Sequence, residues 1–169
     1  VVRYGNVMNS RGSVIPYFLE SQDSGVLNIT DKRMTRFNIT LDEGVEFVLK
    51  TIKIMKGGEI FIPKIPSYKI LDLAKAVNPD CKINYIGIRS GEKIHEIMVT
   101  KDDALNTIEF KNHFVIIPSI IIHSLKDYIN ANTKDKGKTV HEGFSYSSDN
   151  NKDFLSVSKL RNLIKNESF

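Results

Sequence analysis

Three short stretches of this chain carry side chains of the kind that hold a polyanion. In Arg3-Tyr4-Gly5-Asn6-Val7 a strand pattern runs into a Gly-Asn corner. Ligands of open α/β sheets sit beyond the carboxyl ends of parallel strands, so Asn6 is placed to offer its amide to a phosphate or a sugar hydroxyl. An Asn at a corner also serves simply as a turn residue tolerant of left-handed backbone. In Thr30-Asp31-Lys32-Arg33-Met34-Thr35-Arg36-Phe37 the cations Lys32, Arg33 and Arg36 crowd together ahead of a helix. They can grip a diphosphate through forked hydrogen bonds, or form a solvated charged face. In Gly87-Ile88-Arg89-Ser90-Gly91-Glu92-Lys93 an Arg and a Glu flank a glycine-containing turn. That pair suits a phosphate and a ribose diol; the alternative is a Ser90-capped helix start with a surface ion pair worth less than about 1 kcal/mol.

Other chemistries are poorly supplied. The single cysteine, Cys81, excludes an internal disulfide and reads as a loop residue after Asn78-Pro79-Asp80, not as a nucleophile. The four histidines, His95, His113, His123 and His141, lack metal-ligand spacing, so no metal is expected. The formal charge of +4 comes from interleaved acids and bases, and no basic face with aromatics can be built for nucleic acid. Lys134 to Lys138 is the one basic cluster, within a polar stretch. No apolar run approaches the roughly 20 residues that span a bilayer, since Phe114 to Ile122 is broken by Pro118 and Ser119. No partner nucleic acid and no membrane association are expected, and a cytoplasmic location is.

These stretches must be held by α/β elements. Val1 to Tyr4 reads as a buried strand, Val14 to Ser21 as a short helix with Pro16 in its first turn, and Val26 to Thr30 as a strand. Thr40 and Glu43 form a capping box before Leu41, Val45, Val48, Leu49, Ile52 and Met55, which recur at helical spacing until Gly57-Gly58. A strand over Glu59 to Pro63, a helix capped by Ser67, and a strand over Lys82 to Ile88 suggest a βαβ unit. A short helix is expected at Glu92 to Met98, strands at Ala104 to Phe110 and His113 to Ile117, and a closing helix within Phe154 to Ile164. Between them, Asn130 to Asp153 has loop composition. The apolar pattern at the first residue, without an initiator Met, leads to the expectation of a chain entered mid-fold.

The stretches RYGNV, SRGSVIPYF, TDKRMTRFNITLDEG, GGEIFIPKIPS and IGIRSGEKIHEIM occur in that order, followed by Tyr146-Ser147-Ser148-Asp149-Asn150-Asn151. Together they resemble the C-terminal half of the inverting UDP-N-acetylglucosamine 4,6-dehydratases, in the polysaccharide-biosynthesis branch of the extended short-chain dehydrogenase/reductases. The resemblance implies an α/β fold made of the last Rossmann strands and a small substrate-binding domain over residues 1–128, with a polar extension and closing helix over 129–169. It implies that Asn6 meets the diphosphate or sugar, that Thr30 and Arg36 lie along the UDP pocket, that Arg89 binds the diphosphate, and that Glu92 meets the uridine ribose. Ser147, Ser148 and Asn150 are implied to close over the substrate. Val7, Ser10 and Arg11 are implied to pass the nicotinamide end of NADP, and Arg33 to be structural. Asn9, Asn38 and Ser90 depart from the family pattern, which has Gly, Trp and Pro there.

The intact family is implied to oxidise C4 of the sugar by hydride transfer to NADP⁺, eliminate water across C5–C6, and return the hydride to C6 with inversion at C5. It is also implied to be a homo-oligomer acting on a UDP-sugar. This chain contains no Tyr with a Lys four positions on, and no glycine-rich pyrophosphate cradle. No catalytic residue is therefore assigned, and the chain alone is expected to be inactive. The alternatives are the corresponding half of a capsule-synthesis UDP-N-acetylglucosamine epimerase, or a non-catalytic sugar-nucleotide-binding module.

Overall fold

The computed structural model describes residues 1–8, 10, 12–118, 128–129 and 135–166. Among the sequence expectations, those for Asn9, Arg11, residues 119–122 and Lys134 lie outside the described residues. The described residues form an α/β fold of two compact units, each assembled from separated parts of the chain.

The first unit comprises Val1–Tyr4, Asp42–Lys64 and Ile97–Ser147. Its sheet has the order β10-β8-β9-β4, all antiparallel, with β4 at Ile60–Pro63, β8 at Thr107–Glu109, β9 at His113–Ile116 and β10 at Lys138–Thr139. A second pair joins β7 (Ile97–Val99) to β11 (Tyr146–Ser147). Alternating residues of β4, β8 and β9 point inward, and Phe61, Ile108, Phe110, Val115 and Ile117 make the core. The expected strand at Val1 to Tyr4 is reduced to one parallel bridge, Val2 to Phe61. Two backbone bonds frame it, from Arg3 N to Phe61 O and from Phe61 N to Val1 O, each 2.9 Å.

Helix α2 (Leu41–Ile54) turns Gly44 and Thr51 inward. The stripe that helical spacing marks as its apolar face points outward instead: Leu41, Val45, Leu49, Ile52 and Met55 are 51–64% exposed. Beyond α2 the buried Glu59 accepts the backbone N–H groups of Lys56 (2.8 Å) and Gly57 (2.7 Å), closing the turn into β4.

The second unit comprises Gly5–Leu41, Ile65–Glu96 and Ser148–Phe169. A three-stranded sheet, β1-β3-β5, joins β1 (Asn6–Val7) in parallel to β3 (Thr35–Ile39) and β3 antiparallel to β5 (Ser67–Lys69). A parallel pair joins β2 (Val26–Ile29) to β6 (Lys82–Tyr85). Helices α1 (Val14–Ser21), α3 (Ile70–Val77) and α4 (Val157–Asn166) bury one apolar stripe each, with Phe18, Leu73 and Leu160 in a common core with Leu27 and Ile29.

Several local expectations fail for tertiary reasons. The βαβ unit from Glu59 to Ile88 does not form, because β4 pairs with β9 and β6 pairs with β2. Ser67 is not a helix cap: it sits in β5, fully buried, giving its N–H to Asp153 O and accepting from Leu155 N, each at 2.8 Å. The charged segment Asp31 to Phe37 runs into a strand, since Thr35 to Ile39 form β3 with a largely buried pattern. Glu92 to Met98 is not a helix, because its carbonyls at Lys93 and Ile94 bond to Arg36 and to Thr35 N instead of to their own turn. The polar stretch to Asp153 is not all loop, since it contributes β10 and β11 and buries Tyr146, Ser147 and Ser148.

Candidate functional site

A cleft of about 650 Å³ opens in the second unit, and every residue lining it belongs to that unit. This is a volume suited to a small organic ligand. One wall is the start of α1, with Ser10, Ser13 and Tyr17; another is the end of β2, with Asn28 and Thr30. Asn6 and Arg36 lie on the sheet, and Ile86, Arg89 and Glu92 come from the loop after β6. The end of β1, the segment after β2 and the loop after β6 thus meet, though far apart in sequence.

On the sheet, a side-chain hydrogen bond links Asn6 to the Tyr68 hydroxyl. Tyr68 stands opposite Arg36 in the β3–β5 register. Burial first, and the nearby Glu96 carboxylate second, raise the Tyr68 hydroxyl above the usual phenol range, so it stays neutral and orients Asn6. Gly5 is small for a reason of space: a Cβ there would strike the Cβ of Phe37 and lie 3.4 Å from Glu96 Oε2.

The loop after β6 is ordered by its own acid. Glu92 Oε2 accepts Arg89 N and Oε1 accepts the Thr30 hydroxyl, each at 3.2 Å, while Glu92 N donates to Arg89 O at 3.0 Å. Gly91 turns the chain with φ of 80°, a region that disfavours side chains. Arg89 is exposed and lines the cleft, and its guanidinium has no bonded partner among the described residues.

Arg36 is engaged differently. Its Nη1 donates to Thr35 O (2.7 Å) and Ile94 O (2.9 Å), and its Nη2 to Lys93 O (2.9 Å). It reaches the cleft, but its forked donors secure the loop that carries Arg89 and Glu92. Glu96 accepts Phe37 N at 2.7 Å, and burial holds its carboxyl above the usual range against the pull of that bond and of Arg36 and Lys93.

The family profile described as polysaccharide biosynthesis protein matches residues 1–118. The chain belongs to this family. It is 54% identical over 168 residues to a UDP-N-acetylglucosamine 4,6-dehydratase (inverting) of Campylobacter jejuni subsp. jejuni, covering 97% of this chain and 50% of that protein. It is 40% identical over 121 residues to a UDP-glucose 4-epimerase of Rickettsia bellii, covering 69% of this chain and 36% of that protein. Among solved structures, Pen from Bacillus thuringiensis superposes with a TM-score of 0.79 at 34% identity, covering 98% of this chain and 49% of that one. The chain therefore spans about half the length of the curated relatives it matches, or less. These likenesses agree with the expected fold class, an α/β piece of an extended short-chain dehydrogenase/reductase.

For this member of the polysaccharide biosynthesis family, the cleft gathers Asn6, Ser10, Thr30, Arg36, Arg89 and Glu92 from the expected site. It does not gather the others. Val7 is half-buried in β1 opposite Ile39, Ser147 is buried in β11 of the first unit, and Asn150 is exposed away from the cleft. Ser148 is fully buried and bonded to Thr35 and Glu96. Arg11 lies outside the described residues. Arg33 is engaged locally: it clamps Asp31 with two bonds of 2.9 and 2.8 Å and lowers the pKa of that carboxyl to about 2.

Sequence reasoning passed over Ser13, Tyr17 and Asn28. Ser13 precedes α1 in the cap position, yet its hydroxyl makes no cap bond and is buried with no partner among the described residues. The signal was present in SRGSVIPYF, where Ser13 stands directly before the helix.

Among the described residues no group of three or more His, Cys, Asp or Glu side chains could hold a metal ion. A dinucleotide does not fit the residues present as a full site. Of the three positions expected near NADP, Ser10 alone lines the cleft among the described residues.

Proposed function

We propose that this chain is the nucleotide-sugar-binding portion of a C5-inverting UDP-N-acetylglucosamine 4,6-dehydratase, a hydro-lyase of surface-glycan or pseudaminic-acid-type sugar synthesis. The observation that carries the reading is the convergence of Asn6, Arg89 and Glu92, from separate segments, on one cleft of small-ligand size. The 54% identity to an inverting UDP-N-acetylglucosamine 4,6-dehydratase supports the choice of sugar nucleotide.

Each side chain then has a task set by its chemistry. The Arg89 guanidinium, without a bonded partner among the described residues, takes the diphosphate through forked, charge-assisted bonds. The Ser13 hydroxyl and the open N–H groups at the start of α1 face the same anion. Asn6, held by Tyr68, meets the diphosphate or the sugar. Glu92 keeps lone pairs beyond its bonds to Thr30 and Arg89 N, and these accept the ribose hydroxyls. In this reading NADP supplies the hydride chemistry and is held mainly by the half of the relatives' length that this chain does not span. The intact enzyme is a cytoplasmic homo-oligomer, and the proton-moving groups lie in that same unspanned half.

Proton NMR of UDP-N-acetylglucosamine with this chain and NADP⁺, with UDP-glucose as the control sugar, tests the reading. Selective broadening of the uridine and N-acetyl signals without a new C6-methyl resonance is expected, and Arg89→Ala should abolish the broadening. A new methyl signal would place catalytic groups within the chain. Absence of broadening in a chain shown to be folded would overturn the binding assignment.

A further inference from the structure

We infer that Ser148 is a positioning residue for the nucleotide site, acting through a buried hydroxyl relay with Thr35 that pins the segment Glu92–Glu96 to β3. The inference rests on the nucleotide-sugar reading of the cleft.

Ser148 does not touch the cleft, yet it is fully buried, and Thr35 is only 5% exposed. Burying a hydroxyl or N–H without its bond costs about 1–3 kcal/mol. Here the bonds are made: four of the six named below run to residues 94–96, and the other two join Ser148 to Thr35. Glu96 N donates to Ser148 Oγ at 2.9 Å, and Ser148 N donates back to Glu96 O at 2.8 Å. Ser148 Oγ lies 2.7 Å from Thr35 Oγ1 and can also donate to Thr35 O at 3.1 Å. Thr35 Oγ1 lies 2.8 Å from His95 Nδ1, and Thr35 N donates to Ile94 O at 3.1 Å.

The proton count closes in either direction around this relay. With His95 accepting at Nδ1, Thr35 donates to His95, Ser148 donates to Thr35, and Glu96 N donates to Ser148, so each hydroxyl gives once and accepts once. With His95 donating instead, Thr35 donates to Ser148, and Ser148 turns to the Thr35 carbonyl. Both polarities leave every group satisfied, so the anchor holds in either tautomer of His95.

The segment so anchored has no regular secondary structure of its own and begins at the residue that orders Arg89. Arg36 grips it at Lys93 and Ile94 on one side, and Ser148 and Thr35 grip it at His95 and Glu96 on the other. Without the hydroxyls of the second grip, the segment keeps Arg36, the Thr30–Glu92 bond and its backbone bonds, but loses the side-chain anchors at His95 and Glu96 that fix the angle at which Arg89 and Glu92 face the cleft. The Ser148 hydroxyl therefore contributes to nucleotide affinity without meeting the nucleotide.

The test compares UDP affinity of the chain with that of Ser148→Ala, Thr35→Val and Thr35→Ser, by calorimetry, alongside thermal melts and amide hydrogen exchange. Thr35→Val keeps the shape and removes the hydroxyl, while Thr35→Ser restores the hydroxyl and gives up a methyl. Ser148→Ala and Thr35→Val should weaken UDP binding about tenfold and speed exchange at residues 92–96, with Thr35→Ser near the parent value. A general loss of stability would instead follow the melts and lower Thr35→Ser as well. Should Ser148→Ala fail to fold, the Thr35 pair decides. Equal affinity of Thr35→Val and the parent would overturn the positioning role. Failure of the folded parent chain to bind UDP would sink the nucleotide reading itself.

Discussion

Gly5 and His113 show how single residues set the limits of this fold. Gly5 needs no unusual backbone angle; it needs room, because β1 runs against Phe37 in the neighbouring strand. Gly5→Ala should cost about 1–3 kcal/mol through overpacking. Differential scanning calorimetry should show a fall of about 2–4 °C per kcal/mol for a chain of this size. His113 lies stacked on Phe110 with ring centroids 4.8 Å apart, and its Nε2 is buried with no partner among the described residues. Burial lowers its pKa from the ordinary 6.5, with Lys64 acting in the same sense and Asp135 against it. The unfolded chain then binds the proton more readily. Its contribution to stability is complete above the ordinary value and is lost as pH falls through the folded one. Melting temperatures measured between about pH 7 and 5 should fall more steeply for the parent than for His113→Phe.

At the scale of elements, α2 carries the largest mismatch between composition and burial. Its inward side is Gly44 and Thr51, and the Leu41–Val45–Leu49–Ile52 stripe stands in solvent. A helix apolar on its outer face needs a cover, and an uncovered patch of that kind drives association. The chain should therefore self-associate as its concentration rises, and Leu49→Glu with Ile52→Lys should return it to the monomer mass in light scattering after size exclusion. The loop after β6 shows the opposite case. It has no helix or strand to stiffen it, and borrowed bonds from Arg36, Thr30 and Ser148 define its course.

For the molecule as a whole, ligand linkage is the useful measure. A ligand that binds the folded state alone, at 100 times its Kd, adds about 2.7 kcal/mol of stability. For a chain of 169 residues that corresponds to a rise of roughly 5–10 °C. UDP should produce such a rise, and NADP⁺ alone should not, because the sequence has no glycine-rich cradle for its pyrophosphate. An equal rise with NADP⁺ would place a dinucleotide site within this chain. The net charge of +4 favours either anion in general, so the comparison between the two carries the information.

By itself the sequence determined the family, the α/β class, and most of the polar residues that meet in the cleft. The family and the site residues follow from the resemblance carried by long stretches such as TDKRMTRFNITLDEG and IGIRSGEKIHEIM, while local signals, a Gly-Asn corner and an Arg and a Glu either side of Gly91, offered only candidates for holding a polyanion. Helical patterns also located α1, α2, α3 and α4, because a helix closes its bonds within a few residues. The tertiary structure alone decided which strands pair, since strand partners lie far apart in sequence and the pattern within one strand does not name its neighbour. It separated β4 from β6, made Ser67 a strand residue, and turned Glu92–Met98 away from a helix. It also assigned different tasks to chemically similar residues. Arg89 has no bonded partner at the cleft among the described residues, while Arg33 is tied to Asp31 and Arg36 to backbone carbonyls. Ser13 is left without a partner among the described residues, and Ser148 is wholly consumed by its own. A side chain's type sets what bonds it can make, and the groups that the fold brings within about 3 Å decide which of them it has left to offer a ligand.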